Sequence, residues 1–249
     1  MVDIHSHILP KIDDGSKNLS MTYEMLRKCS KEGVKKIVAT PHYYDCSSAY
    51  FRKVKAMVRM LNKLSYKQNL DIKIFHGQEI YLTDNIIKEY EKKKIGTIND
   101  SRYMLIELNM NRFSANMLNM IYELRIRDIV PIIAHPERYN FILRKSNIIN
   151  DLIKEGCLFQ INSGSIEGKF GWKVKERSKI LVRHNVYNFI GSDAHNNKRI
   201  IGIKNGLEII KKINNEALEN YSIDSEKLLN DEIIKFKGEK LKKKKYFFI

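Results

Sequence analysis

Two histidines stand close together near the start of the chain. His5 ends a short apolar segment, Val2–His5, that is typical of a strand, and His7 stands two residues further along. Residues two apart in a strand point to the same side, so both rings suit ligation of one metal ion or of a close pair. Packed or surface histidines would explain this spacing equally well, because a short motif indicates a metal site only where other residues support it.

Further candidate ligands provide that context. Nitrogen and carboxylate donors without thiolate fit Mn, Zn or Fe better than a site built for calcium alone. About nine such ligands exceed what one ion needs, so we expect two or three ions. The candidates are His5 and His7, Asp14 in the Asp13-Asp14-Gly15 loop that follows, His42, Glu79, Glu107, His135, Asp193 and His195.

Apolar runs bounded by turn residues predict the strands that position these side chains. Helical patterns lie between the runs, with Ser20 as the expected first N-cap and Gly33 as the stop of that helix. Seven strands alternating with helices predict parallel pairing and a seven-unit β/α barrel, with a doubly wound open sheet as the alternative. The predicted strands are Val2–His5, Val34–Thr40, Ile72–Phe75, Tyr103–Leu108, Val130–His135, Cys157–Ile161 and Val186–Ile190.

In such a barrel the candidate ligands come together. Glu79 is expected to end the third strand and Glu107 the fourth, while His135 ends the fifth. Active sites of β/α barrels lie at the carboxyl-terminal face of the strands. The sequence therefore predicts one metal-binding cleft at that face.

Several motifs resemble one family. The opening Met1–Pro10 with Ile12-Asp13-Asp14-Gly15 is similar to that of bacterial PHP-superfamily protein-tyrosine phosphatases of the CpsB/CapC/YwqE type. Thr40–Tyr43, Gly77–Ile80, Ala134–Tyr139, Asn162–Gly171 and Ser192–Asn196 resemble the same family in order. The resemblance implies a distorted β/α barrel with a metal cluster, usually manganese. It also implies dephosphorylation of tyrosines on a cognate bacterial tyrosine autokinase, in capsule or exopolysaccharide synthesis.

The resemblance also implies roles for individual residues. Arg138 matches an arginine that contacts phosphate, and Arg199 stands near the position of a second one, with a shortened spacing. Tyr81 occupies a position where the family often has arginine. The metal ligands implied are His5, His7, Asp14, His42, Glu79, Glu107, His135, Asp193 and His195.

The expected reaction is attack by metal-bound hydroxide without a phosphoenzyme, since bridging metals neutralise the phosphate and supply hydroxide near neutral pH. Protonation of the leaving oxygen by a cleft histidine is one option, and His42 is taken as a catalytic residue as well as a ligand. A rival pattern is Cys46-x5-Arg52, the spacing of cysteine-dependent phosphatases. It lacks the glycine that helps such a loop fold around phosphate, so we expect Cys46→Ser to retain activity.

The net charge of +16 suggests nucleic-acid binding at first sight. Lysine dominates the basic residues and is concentrated in the tail from Lys235 to Ile249, so we expect compositional bias and attraction to an anionic partner instead. Peripheral membrane association is the most that we expect, and the oligomeric state stays open. Three scattered cysteines and no signal-peptide pattern predict a cytoplasmic protein.

One domain is expected over residues 1–249, with a peripheral helix and a frayed basic tail from about residue 214. Two other functions stay open. One is a metal phosphoesterase acting on a small phosphomonoester similar to histidinol phosphate, or on nucleic-acid ends. The other is a regulatory module without activity, which the intact ligand set argues against.

Overall fold

The structure is a computed structural model that describes residues 1–43, 49–144, 147–197 and 202–241. Helices alternate with strands along most of the chain. The strands are β1 (Val2–Ser6), β2 (Lys36–Ala39), β3 (Lys73–His76), β4 (Glu79–Tyr81), β5 (Tyr103–Glu107), β6 (Val130–Ala134), β7 (Leu158–Asn162) and β8 (Phe189–Gly191). The helices are α1 (Leu19–Lys31), α2 (Tyr50–Lys67), α3 (Ile86–Glu91), α4 (Ala115–Arg125), α5 (Asn140–Arg144), α6 (Asn147–Lys154), α7 (Ser163–Glu167), α8 (Trp172–Arg183), α9 (Lys204–Ile213) and α10 (Asn215–Leu229).

All strand pairs are parallel, but they form two sheets. One has the order β1-β2-β3 and the other the order β4-β5-β6-β7-β8. The sheets meet at two seams through single bridges, Ser6 with Ala194 and His42 with Glu79. The seven-unit barrel is therefore not confirmed: the described residues form eight strands in two sheets and no closed barrel.

The extra strand has a local cause. The third strand, predicted over Ile72–Phe75, is Lys73–His76 in the structure, and Glu79 begins the separate strand β4 instead of ending β3. Gly77 lies against the side chains of Val38 and Thr40, where a Cβ would come within 3.0 Å and 3.2 Å of them. The chain thus passes close to β2 between the two strands, and Glu79 enters the second sheet.

Alternate residues of the strands face two different hydrophobic cores. On β5, Met104 and Ile106 join the outer core between strands and helices, whereas Tyr103 and Leu105 join an inner core enclosed by the strands. Burial of both faces explains why the strands read as continuous apolar runs in the sequence.

Helix α1 begins earlier than predicted. Asn18, not Ser20, is its N-cap, because the Asn18 side chain accepts a hydrogen bond from the Met21 N–H at 2.9 Å. Gly33 follows the helix with a φ of 88°, which agrees with its predicted role as a stop. No helix in the described ranges is both long enough and apolar enough to cross a membrane.

Residues 230–241, the C-terminal strap, differ from the frayed tail that the sequence predicts. Ile234 is buried and packs with Leu228 and Leu229 of α10 against the inner core. The Tyr103 hydroxyl donates to the Glu232 carbonyl (2.6 Å) and accepts from the Ile234 N–H (3.0 Å). The strap therefore covers the amino-terminal ends of the strands, because apolar residues interrupt its lysines. The lysine-rich end beyond Leu241 lies outside the described residues.

Tyr103→Phe is expected to lower the free energy of unfolding by about 1–3 kcal/mol, because it leaves the Ile234 N–H without its acceptor. Urea unfolding of wild type and variant measures the difference. Metal binding at low denaturant should stay unchanged, since Tyr103 begins β5 and the candidate metal ligands are expected at the opposite ends of the strands. Equal unfolding midpoints would contradict the role assigned to the strap.

Candidate metal centre

The nine predicted metal ligands lie together around the carboxyl-terminal side of the strands. His5 belongs to β1, Glu107 ends β5, and Glu79 begins β4 beside the seam with His42. The other ligands stand in the loops that directly follow strands. These are His7 and Asp14 after β1, His42 after β2, His135 after β6, and Asp193 and His195 after β8.

Glu79 is the centre of the cluster, and its side chain is only 1% exposed. Its Oε2 lies 3.1 Å from His5 Nε2, 3.2 Å from His7 Nε2 and 3.3 Å from His42 Nδ1. Its Oε1 lies 2.9 Å from His135 Nε2. One buried carboxylate thus contacts four imidazoles.

Asp193 and Asp14 complete the arrangement on the other side. Asp193 Oδ1 lies 3.5 Å from His5 Nε2, 3.4 Å from His7 Nε2 and 3.5 Å from His195 Nδ1. Asp14 Oδ1 lies 3.4 Å from His195 Nε2 and 3.9 Å from His42 Nε2. The more exposed His42 and His195 thus share Asp14, whereas Asp193 contacts His195 as well as the buried His5 and His7.

The donor atoms fit divalent metal ions. They form three overlapping groups whose atoms lie within 4.8 Å of one another. Nitrogen and carboxylate donors of this kind suit Mn, Zn or Fe. His135 stands outside the groups but within 3.8 Å of Glu107 Oε1. The groups are His7, Asp14, His42 and His195; His5, His7, Glu79 and Asp193; and His42, Glu79 and Glu107.

Charge within the cluster sets its protonation. Burial alone would lower the pKa of His5, but the nearby Glu79 and Asp193 carboxylates outweigh it and raise that pKa to about 9. Burial opposes ionisation of Glu79, yet attraction to His5 and hydrogen bonding from His135 hold its pKa well below the usual range. Cations that bind here therefore compete with protons on the imidazoles, so metal binding releases protons.

The more open histidines behave differently. Burial lowers the pKa of His42, and burial together with His7 lowers the pKa of His195. Both rings are therefore neutral at pH 7, which is the form that ligates metal or accepts a proton.

A second layer of polar residues orients the ligands. Asp13 Oδ2 lies 2.8 Å from His7 Nδ1 and accepts from the His42 N–H at 3.1 Å. Gln160 Oε1 lies 2.9 Å from His5 Nδ1, which leaves Nε2 of His5 to face the cluster. Gln160 Nε2 donates to Asn162 Oδ1 (2.8 Å), and Asn162 Nδ2 donates to Asp193 Oδ2 (2.7 Å).

Sequence reasoning missed Gln160. The signal was present, since Gln160 lies in the otherwise apolar run Cys157–Ile161 and Asn162, a second polar residue, follows it two positions later. Period-two alternation places both on the same face of β7. A polar pair on the inner face of a buried strand needs polar partners, which here are the ligands His5 and Asp193.

Gln160→Leu is expected to weaken metal binding by about 10- to 100-fold, the usual cost of removing a group that orients a metal ligand. The variant frees the His5 ring and leaves Asn162 Oδ1 without its donor. Titration of the metal-free protein with Mn²⁺ measures the change, and circular dichroism checks the fold. Unchanged affinity in a folded variant would show that His5 needs no support from β7.

The ligands open into a cleft that also contains Arg138. A cavity of about 590 Å³ is lined by seven of the nine predicted ligands together with Arg138 and Phe170. Arg138 ends a short 3-10 helix, Pro136–Arg138, and its Nη1 donates to Asp193 Oδ2 at 2.9 Å. Arg138, which the resemblance implies to contact phosphate, thus lies beside the predicted metal ligands.

Other predicted residues lie elsewhere. Tyr81 lines a neighbouring cavity of about 580 Å³ that shares His42, Glu79 and Glu107 with the first. Arg199 and Cys46 fall outside the described residues. Arg52 is an exposed residue of α2, and it is not among the described residues that line the metal cleft.

Comparisons with known proteins agree with this geometry. The family model described as "Capsular polysaccharide synthesis, CpsB/CapC" matches residues 1–230. A putative tyrosine-protein phosphatase CapC of Staphylococcus aureus is 36% identical over 99% of both chains. The tyrosine-protein phosphatase YwqE of Bacillus subtilis is 32% identical, again over 99% of both.

Solved structures extend the similarity to the fold. Crystal structures described as YwqE of Bacillus subtilis and CpsB of Streptococcus pneumoniae, unique metal-dependent tyrosine phosphatases, include a chain that matches with a TM-score of 0.91. It is 31% identical, and the match covers 98% of this chain and 100% of that one. A histidinol phosphate phosphatase of Lactococcus lactis shares the fold alone, with a TM-score of 0.55 and 13% identity over 86% of this chain and 93% of that one. The chain therefore belongs to the CpsB/CapC family of capsular polysaccharide synthesis proteins.

Proposed function

We propose that this protein is a metal-dependent tyrosine phosphatase that hydrolyses phosphotyrosine in proteins, with residues 1–249 acting as one domain. The observation that carries the proposal is the presence of three overlapping groups of metal-ligand atoms and Arg138 in one cleft. Full-length relatives named tyrosine-protein phosphatases support the substrate class.

Each part of the cleft has a task in this reaction. The nine ligands would hold two or three Mn²⁺ ions, with Zn or Fe as alternatives. Bound divalent cations would supply Lewis-acid neutralisation of the phosphate and a nucleophilic water at neutral pH. Arg138 binds phosphate oxygens through its planar fork of N–H donors. Its hydrogen bond to Asp193 fixes the guanidinium beside the ligand cluster.

Proton transfer places a small demand on the site. A phenol is a better leaving group than an alcohol, so the departing oxygen of tyrosine needs little help from an acid. His42 is 20% exposed at the cleft and neutral near pH 7, because burial lowers its pKa. His42 is proposed as a catalytic residue of the cleft as well as a metal ligand. Arg199 is proposed as a second phosphate contact.

Metal removal and substrate comparison test the proposal together. Dialysis against a chelator should abolish phosphatase activity, and added Mn²⁺ should restore it. The restored enzyme should hydrolyse a phosphotyrosine peptide much faster than a phosphoserine peptide, histidinol phosphate or single-stranded DNA. Activity that survives chelation would exclude metal catalysis, and equal rates on all four substrates would exclude the phosphotyrosine assignment.

The proposed partner is a tyrosine-phosphorylated protein in the cytoplasm, a cognate bacterial tyrosine kinase in capsule synthesis. A phosphotyrosine carries close to two negative charges at pH 7, which complements a chain of net charge +16. Cys29 and Cys157 are buried free thiols, as a reducing compartment permits. Nucleic acid is not a proposed partner. Dephosphorylation of a purified autophosphorylated tyrosine kinase, followed by phosphotyrosine immunoblotting, tests this partner directly.

A further inference from the structure

A short loop presents a cation and an aromatic ring at the rim of the metal cleft. Lys169 and Phe170 stand between Gly168 and Gly171, whose φ angles are 94° and 91°. Side chains with a Cβ rarely adopt such angles, so the two glycines set the path of the loop. Hydrogen bonds from the Lys169 N–H to the Gly164 carbonyl (2.9 Å) and from the Gly171 N–H to the Gly168 carbonyl (3.1 Å) hold that path.

Phe170 has a position that core packing does not explain. Its ring is 39% exposed, and it belongs to neither hydrophobic core of the described residues. It lines the same cavity as the metal ligands, among side chains that are mostly charged or polar. An exposed aromatic ring in a polar cleft is typical of a ligand-binding surface.

Arg138 lies between the Phe170 ring and the metal ligands. The Arg138 guanidinium carbon lies over the Phe170 ring, 4.7 Å from its centroid, while Nη1 donates to Asp193 at 2.9 Å. The phosphate-binding arginine therefore lies between a metal ligand and an aromatic wall. A phosphate held by Arg138 would carry its organic group next to Phe170.

We propose that Phe170 is the specificity-determining residue for aryl phosphates, a role that rests on the proposed tyrosine phosphatase function. In phosphotyrosine a flat apolar ring separates the phosphate from the peptide, whereas phosphoserine has one methylene there. The Phe170 ring beside the phosphate site stacks on the phenyl ring of phosphotyrosine. The single methylene of phosphoserine offers little surface for such a contact. Phe170 thus selects phosphotyrosine by contact with its ring, and Arg138 holds the phosphate.

Ligand binding tests this role without relying on turnover. Phenylphosphonate and methylphosphonate differ by the aryl group, and neither is hydrolysed. Calorimetry on the Mn²⁺-loaded full chain gives the dissociation constant of each. We expect Phe170→Ala to weaken phenylphosphonate binding by about 5- to 10-fold and methylphosphonate binding by at most about 2-fold. Phe170→Trp should keep the phenyl preference, because it retains an aromatic face.

A matched control is available two residues further along the chain. Trp172 is 53% exposed at the start of α8 and is not among the described residues that line the cleft. Trp172→Ala should leave both dissociation constants unchanged. The ratio of kcat/KM for a phosphotyrosine peptide and a phosphoserine peptide should fall by about 5-fold in Phe170→Ala alone.

The outcomes separate this inference from the proposed function. Equal weakening of both phosphonates by Phe170→Ala would overturn the inference, because Phe170 would then act only through Arg138. Unchanged binding of both would also overturn it. If the wild-type protein does not hydrolyse phosphotyrosine but still prefers phenylphosphonate through Phe170, the tyrosine phosphatase proposal is wrong. Recognition of the aryl group by Phe170 is then supported on its own.

Discussion

Glu79→Gln is expected to reduce metal-dependent hydrolysis by about 10³-fold or more, since the metal's stabilisation of charge in the transition state is worth several kcal/mol. The Glu79 carboxylate contacts four imidazoles at 2.9–3.3 Å. Glutamine keeps the shape but removes the negative charge that draws cations between these rings. Initial rates on a phosphotyrosine peptide and the metal content of the purified variant measure the two effects.

Glu89→Gln provides the matched control. Glu89 lies in the neighbouring cavity, where it accepts a hydrogen bond from the Tyr43 hydroxyl at 2.6 Å and lies 3.1 Å from Lys94 Nζ. Glu89 belongs to none of the metal-ligand groups found among the described residues. Its replacement by glutamine should therefore leave the metal content unchanged. If the Glu79→Gln variant keeps its full metal content and wild-type activity, Glu79 is not needed for metal binding or catalysis, which contradicts its assigned role.

Arg138→Lys is expected to lower kcat/KM by about 100-fold while metal content stays unchanged, because removing one preorganised donor from a developing charge costs about that much. Lysine keeps the positive charge but offers neither the planar fork nor the stacking surface that guanidinium gives to phosphate and to Phe170. Steady-state kinetics with a phosphotyrosine peptide and metal analysis distinguish this effect from loss of the cluster.

Arg127→Lys is the corresponding control on the surface. Arg127 pairs with Glu123 at 2.7 Å and with Glu91 at 3.4 Å, and both carboxylates are well exposed. Its replacement should change neither activity nor metal content, since exposed ion pairs contribute little. Loss of metal in Arg138→Lys would instead indicate that its hydrogen bond to Asp193 holds the cluster together.

The residues that the sequence predicted well are those whose chemistry is rare. Histidines and carboxylates directly after apolar runs are uncommon in a purely structural role. The fold brings eight of the nine predicted ligands into the three groups of donor atoms, and His135 lies against Glu79. The family motif also located Arg138, which composition and spacing alone did not single out. Strand positions followed from apolar runs because both faces of each strand are buried.

The errors arose where a few residues decide between similar arrangements. The apolar pattern around Ile72–Phe75 and Gly77–Ile80 does not show that the chain passes from one sheet to the other near Gly77. Gln160 was missed because its role depends on a long-range partner. It contacts His5, which is more than a hundred residues away in sequence. Phe170 gave no periodic signal, because it stands in a loop.

The C-terminal strap has a consequence for how the protein folds during synthesis. Leu228, Leu229 and Ile234 pack against inner-core residues from strands made much earlier, Val2 and Ile4 among them. A nascent chain that has released every strand from the ribosome still lacks these contacts, so apolar surface at the amino-terminal ends of the strands stays uncovered. Such surface is prone to association with other chains. Helix α10 and the strap thus complete the inner core only after the described strands have been made, and the metal cleft lies on a scaffold that is completed from its opposite end.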